Sequence, residues 1–280
     1  MRIWHQSFTV LGDVGPYRAA LQRHLDAACS PGTTVDLHGM KPGTYPSAYP
    51  GTHIGYVYLS GLHREQFVQA ALTAADQGYD AVFIATIPDT GFEEARSLVD
   101  IPVIAFGNTS VAVAATLGSC VGIVNFIAEL VPQLRRNMRN YGFGELVGPI
   151  VQVEAGFNDI MAAYADPQPL IDAFTRAARR AIAEGADVIV PGEGPLNVFL
   201  ADQGLTRVDD VPVIDSLGTC LRMAELRANL HASGGLRPAT TGFYHARPDR
   251  ALVDAARDFY HIPASLREDG IPGSLRAGDA

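Results

Sequence analysis

Residues 185–197 read GADVIVPGEGPLN, and residues 78–90 read GYDAVFIATIPDT. Each stretch opens on a glycine that ends a helical pattern, over 168–184 in the first case and 63–77 in the second, as glycine does just past a helix terminus. Two residues later stands an aspartate, Asp187 or Asp80. An apolar run follows, bounded by glycine or proline, which is the pattern of a buried strand. Six places beyond each aspartate comes a polar residue, Glu193 in one stretch and Thr86 in the other.

The correspondence extends outward. VDIPVIAFGN (99–108) matches DDVPVIDSLG (209–218), each read as a short strand that begins at a proline. MRIWHQSF (1–8) and SCVGIVNF (119–126) each open a half as a strand. The internal copy is offset by roughly a hundred residues, too long for a solenoid period. Strands alternating with helices predict an α/β fold of two pseudo-symmetric lobes, each a mostly parallel sheet flanked by helices, with a cleft between them. The expected division is 1–107 plus 217–280 for the first lobe and 108–216 for the second. Open α/β sheets bind ligands at the carboxyl ends of their strands, so Thr86 and Glu193 are expected to face each other across the cleft.

Between these landmarks the spacing predicts a helix over 15–28 and a strand over 33–37. The segment 40–58, MKPGTYPSAYPGTHIGYVY, reads as a long Gly-, Pro- and Tyr-rich loop, of a length more often functional than idle. Residues 249–260 read as an amphipathic helix, and the polar, Gly-rich stretch 267–280 is expected to fray.

Composition narrows the function. Of 280 residues, 48% are hydrophobic and 18% charged, the balance of a globular protein. A formal charge of −9 with no basic run argues against a nucleic-acid partner. No signal peptide and no bilayer-length apolar run is read, so no membrane partner is expected. Three cysteines, Cys29, Cys120 and Cys220, lack CxxC spacing, which points to a reduced, cytoplasmic compartment. Eight scattered histidines give no metal-ligand spacing, and no phosphate loop or GxSxG elbow occurs, so neither metal nor cofactor is expected. The ligand is expected to be a small molecule, and the chain to assemble as a homo-oligomer.

Several residues at predicted strand ends are candidate binding groups. Gln6 and Ser7 close the first strand, Asn108 and Thr109 follow the 99–107 run, and Asn125 follows VGIV. The bland reading of the Asn and Thr side chains is helix capping. GPLN after Glu193 resembles a helix start, whose amides at Gly194, Leu196 and Asn197 suit an anionic oxygen. Asp215 is expected beside Glu193, raising its pKa by like-charge repulsion, and Asp89 is expected to bond its local turn.

MRIWHQSF, GYDAVFIATIPDTGFEEARSLVDIPVIAFGN, GADVIVPGEG and VPVIDSLG together resemble the Asp/Glu racemase superfamily, in its hydantoin racemase branch. The resemblance covers most of residues 1–230, with PDTG (88–91) in place of a DPG-like turn. It implies a cofactor-independent enzyme in which one cysteine from each lobe works on opposite faces of a carbon acid. It also implies that residues near the end of the first strand, here His5, Gln6 and Ser7, hold polar groups of the substrate. In this chain the two cysteine positions are Thr86 and Glu193.

That departure changes the chemistry. A threonine hydroxyl has no accessible ionised form near neutrality but can donate a hydrogen bond to an oxyanion. A buried glutamate can be a base with its pKa raised toward working pH. The expected enzyme is a racemase or isomerase of a small carbonyl compound (a cyclic amide, a hydantoin or a carboxylic acid). Glu193 is its base, with Thr86 and helix N-terminal amides as donors. One alternative is a hydrolase or decarboxylating lyase in which Glu193 activates water or a proton; arylmalonate decarboxylase is the superfamily precedent for losing a first-lobe cysteine and changing reaction type. A second alternative is a non-catalytic small-molecule binding protein.

Overall fold

The computed structural model describes residues 1–262, and in it the first half of the chain builds one parallel sheet. Strand β1 (Arg2–Gln6) leads through helix α1 (Gly15–Ala28) to β2 (Thr34–His38). The short α2 (Gly51–Ile54) and the long α3 (Val57–Asp76) precede β3 (Ala81–Ile84), and α4 (Phe92–Leu98) precedes β4 (Val103–Ala105). The order is β2-β1-β3-β4, with every neighbour parallel.

Helix α5 (Phe106–Ala114) crosses to the second half, where β5 (Val121–Asn125), α6 (Val131–Asn140), β6 (Val147–Gln152), α7 (Phe157–Ala162), α8 (Gln168–Ala183), β7 (Val188–Pro191) and α9 (Gly194–Asp202) follow. Its sheet has the order β6-β5-β7, again parallel. β6 takes the place of β2, a strand not anticipated because VGPIVQ carries a glycine and a proline; as an edge strand it tolerates both.

The duplicated aspartates explain why the two stretches look alike. The Asp80 carboxylate accepts the N–H of Arg2 at 2.7 Å, at the start of β1. The Asp187 carboxylate accepts the N–H groups of Ser119 and Cys120 at 2.8–3.0 Å, at the start of β5. Each aspartate therefore pins the entry of its lobe's central strand, and the four residues of β3 and of β7 are buried throughout. In the second lobe α8 packs Ala177, Ala178 and Ala181 inward. The sheet meets it with Gly122, where a Cβ would come within 2.8 Å of the Ala186 Cβ.

Three sequence expectations are corrected. The 209–218 run does not repeat β4: β8 (Arg207–Val208) and β9 (Val211–Pro212) form a small antiparallel pair, and Val213 alone bridges to Ile189 of β7. The strand expected to begin at Pro102 and run up to Asn108 stops at Ala105, and α5 begins at once, so Asn108 and Thr109 lie in its first turn. Helix α3 begins at Val57 rather than 63, inside the supposed loop. Its first turn leaves Val57 and Tyr58 exposed, which hides it from an inward-facing apolar pattern.

The chain then returns to the first lobe. Helix α10 (Ser216–Ala232) packs on β3 and α5, and α11 (Arg250–Phe259) docks on α3. There the buried Arg257 bonds Glu65 and Gln69, and Arg250 pairs with Asp76 at 3.2 Å. The stretch 267–280 lies outside the described residues. Among those described, no helix is long and apolar enough to cross a membrane.

Asp89 does more than bond its own turn. It adopts φ +53° and accepts the N–H groups of Gly107 at 2.7 Å and Asn108 at 2.9 Å, closing the N-terminus of α5. A hydrogen bond from Tyr141 completes its shell, yet burial outweighs these bonds and pushes its carboxyl up to about 7. Asp89→Ala strands the buried Gly107 donor and the half-buried Asn108 donor, so it is expected to cost about 2–4 kcal/mol in urea unfolding at pH 7.

Candidate active site

Glu193 stands immediately before α9 with extended backbone (φ −128°, ψ 149°), but its side chain does not cap that helix. It turns instead to the end of β5, where its carboxylate accepts the N–H of Phe126 at 3.1–3.2 Å and of Ile127 at 3.3 Å. Its two glycine neighbours make this reach possible. A Cβ at Gly192 would sit 2.8 Å from the Asn125 Cβ, and one at Gly194 would sit 3.0 Å from the Tyr17 hydroxyl. The Asn125 side chain donates to the Ile127 carbonyl at 2.8 Å and so holds the turn whose amides grip the carboxylate.

Glu193 is only 6% exposed. Burial pushes its carboxyl up to about 8, against the lowering effect of the Phe126 and Ile127 amides. Asp215, expected to supply that elevation, contributes nothing to it. It caps α10 through the Gly218 amide at 3.1 Å, pairs with His24 at 3.0 Å, and lies outside the cavity. A carboxyl poised near neutrality by burial is able both to take and to return a proton.

Thr86, two residues past β3 and 7% exposed, lines the same cavity as Glu193. The enclosed and mouth space together amount to about 450 Å³. Aromatic walls come from both lobes: Phe8, Tyr17 and Tyr49 on one side, Phe126 and Phe157 on the other. Tyr49, from the Tyr-rich segment, stacks on Phe157 with ring centroids 5.3 Å apart. Its phenol is pushed up by burial and then by the charges of Glu129 and Glu193. No lysine, arginine or histidine is among the described residues that line this cavity.

Of the other residues singled out in the sequence, Ser7 and Gly194 line the cavity and the remainder do not. Gln6 is spent on the Trp4 indole at 3.1 Å and the Ser7 carbonyl at 3.2 Å. Asn197 ties the Ile214 carbonyl at 3.3 Å to the Leu217 amide at 3.0 Å. Its own N–H is taken by the Glu193 carbonyl at 2.9 Å, and Pro195 has none. Helix geometry therefore leaves Gly194 and Leu196 as the first-turn donors of α9. Asn108 gives its N–H to Asp89, and Thr109 is buried within α5. His5 is buried against Phe83, away from the cavity. None of the three free cysteines lines the cavity, and no metal-ligating cluster occurs among the described residues.

Tyr17, Phe157 and the Phe126 and Ile127 amides escaped sequence reasoning. Tyr17 reads only as part of the apolar face of α1, and nothing local shows that its hydroxyl ends in the cleft. Tyr49 carried a partial signal, through the length and tyrosine content of its segment.

The family model described as Asp/Glu/Hydantoin racemase matches residues 58–224. The chain is 26% identical to a hydantoin racemase of Pseudomonas sp. (strain NS671) over 197 residues, which is 70% of this chain and 75% of that protein. It is 29% identical to a hydantoin racemase of Rhizobium meliloti over 150 residues, 53% of this chain and 60% of that one. Its fold is shared with the allantoin racemase from Klebsiella pneumoniae, at a TM-score of 0.72 and 23% identity, covering 89% and 94% of the two chains.

Proposed function

Because the chain belongs to the Asp/Glu/hydantoin racemase family and is a racemase-type enzyme, we propose that it racemises a small, neutral cyclic amide of the hydantoin class, with Glu193 as its base. One observation carries this reading: a buried carboxyl, held by two backbone amides, shares an aromatic cavity with Thr86 at the ends of the two lobes' strands.

The carbon between the ring carbonyl and the ring nitrogen is the acidic centre of such a substrate. Glu193 in its ionised form removes the proton, and the charge moves to the carbonyl oxygen. Donors near that oxygen stabilise it where it develops. We assign this task to Thr86 and the Gly194 amide, which line the cavity, since a threonine hydroxyl stays protonated and donates. Return of the proton from Glu193 restores the starting enantiomer, and delivery of a solvent proton to the opposite face of the planar intermediate inverts it, so the centre is scrambled. The neutral substrate is read from the lining: no cation is among the described lining residues to receive a carboxylate, and ionised Glu193 repels one. A flat ring suits the walls formed by Tyr49 and Phe157.

The test is incubation of enantiopure benzylhydantoin in heavy water, followed by polarimetry and mass spectrometry. Decay of rotation with deuterium entering at the ring carbon supports the reading. A cleaved product without deuterium points to hydrolase or lyase chemistry, and saturable binding with neither change points to a binding protein; each overturns it. Tyr49→Ala removes one aromatic wall and is expected to raise KM by about tenfold, equivalent to ~1.4 kcal/mol of binding, in steady-state kinetics.

A further inference from the structure

We propose that the hydroxyl of Tyr17, oriented by Ser7, is a catalytic residue that donates to the oxyanion of the planar intermediate from the seam between the two lobes. The inference rests on the proton-transfer reading given above and adds a further donor to Thr86 and the Gly194 amide.

Tyr17 belongs to α1, well away in sequence from both strand ends, and is 1% exposed. It nonetheless lines the cavity shared by Thr86 and Glu193. A Cβ built on Gly194 would lie 3.0 Å from the Tyr17 hydroxyl and 3.6 Å from the Ala85 carbonyl. The tip of the phenol thus sits where the residue after Glu193 and the residue before Thr86 converge. A side chain at 194 would occupy that space, which gives the second glycine of GEG a reason.

The Tyr17 hydroxyl is hydrogen-bonded to Ser7. The Ser7 oxygen already accepts the Thr9 amide at 3.1 Å. Two hydroxyls carry two protons, and only one is consumed between them. That bond lowers the Tyr17 phenol, as a proton donated to its oxygen does, so Ser7 is the donor and the Tyr17 proton is the one left to point into the cavity. Burial pushes the Tyr17 phenol far up, so it acts as a neutral donor and never as a base at working pH. A phenylalanine would fill the same apolar face of α1 without bringing a hydroxyl into a buried place.

The experiment uses two probes on the full chain. Benzylbarbiturate, a planar ring whose anion carries its charge on ring oxygens, imitates the intermediate; benzylhydantoin imitates the neutral ground state. Calorimetry on the wild type and Tyr17→Phe is expected to show barbiturate binding weakened by about 100-fold and hydantoin binding within about threefold. In turnover, kcat is expected to fall by a similar factor with KM nearly constant, the scale seen when one oxyanion donor is removed. Ser7→Ala should move the same ratio in the same direction by less, and it decides the matter if Tyr17→Phe fails to fold. Equal loss for both probes, or no loss for either, overturns the assignment. A wild type that binds neither probe overturns it as well. If the wild type shows no hydantoin turnover while the barbiturate alone is weakened by Tyr17→Phe, the racemase reading falls and the donor assignment stands.

Discussion

Glu193→Gln is expected to lower turnover by about 10³-fold or more, a loss within the range contributed by a positioned acid–base group. The same change is expected to stabilise the fold in alkaline solution. Burial places the Glu193 pKa at about 8, above its ordinary value of 4.5. Between those values the folded state binds more protons than the unfolded state, so stability falls as pH rises through this window. The penalty is absent below the lower value and complete above the upper one, where it is on the order of a few kcal/mol. Glutamine never ionises and escapes it. Urea unfolding should therefore find the two proteins similar near pH 5, with the variant more stable near pH 9. Asp89 has the same sign of shift but is present in both proteins, so it cancels. In the wild type, kcat/KM should climb with pH to a midpoint near 8 as the base ionises. Retained turnover, or equal stability at pH 9, removes Glu193 from the role of base.

Gly192→Ala is expected to damage both activity and stability although it adds one methyl group. That Cβ would meet the Asn125 Cβ at 2.8 Å, its Cα at 3.2 Å and the Val124 carbonyl at 3.3 Å. These are rigid parts of β5, not the far end of a flexible side chain, so the ends of β5 and β7 must separate. The bond from the Gly192 amide to the Val124 carbonyl, 2.7 Å long, stretches with them. Glu193 then moves off the Phe126 and Ile127 amides. Overpacking of this kind costs about 1–3 kcal/mol. A displacement of ~1 Å at a reacting group lowers kcat by about 100-fold. Gly12→Ala, where a Cβ meets nothing within 4 Å, is the control and should leave melting temperature and kcat near wild type. A Gly192→Ala protein that behaves like this control shows that the close approach is dispensable.

Much of the frame is legible without coordinates because it is written in local rules. Helix α1 is marked by its apolar spacing, and its observed bounds are those read from the sequence. The two central β-α units are marked by glycine after a helix and an apolar run after an aspartate. Where local rules failed, long-range pairing had overridden them. VPVIDSLG looks like VPVI-type strand material, yet β9 pairs back to β8 and spares only Val213 for the main sheet. β6 becomes a strand despite Gly148 and Pro149 because the free edge of β5 accepts it.

By itself the sequence determined that two similar α/β lobes exist, and that Thr86 and Glu193 stand at matching strand ends. Those facts follow from periodicity, turn chemistry and duplication, all of which act within a few residues. Only the tertiary structure decided what surrounds the carboxylate of GEG. Amides from the neighbouring strand grip it, a tyrosine from α1 approaches across its second glycine, and Asp215, close in the sequence reading, lies elsewhere. Desolvation and hydrogen bonding are set by whatever arrives through space, and no local pattern encodes which distant atoms those are.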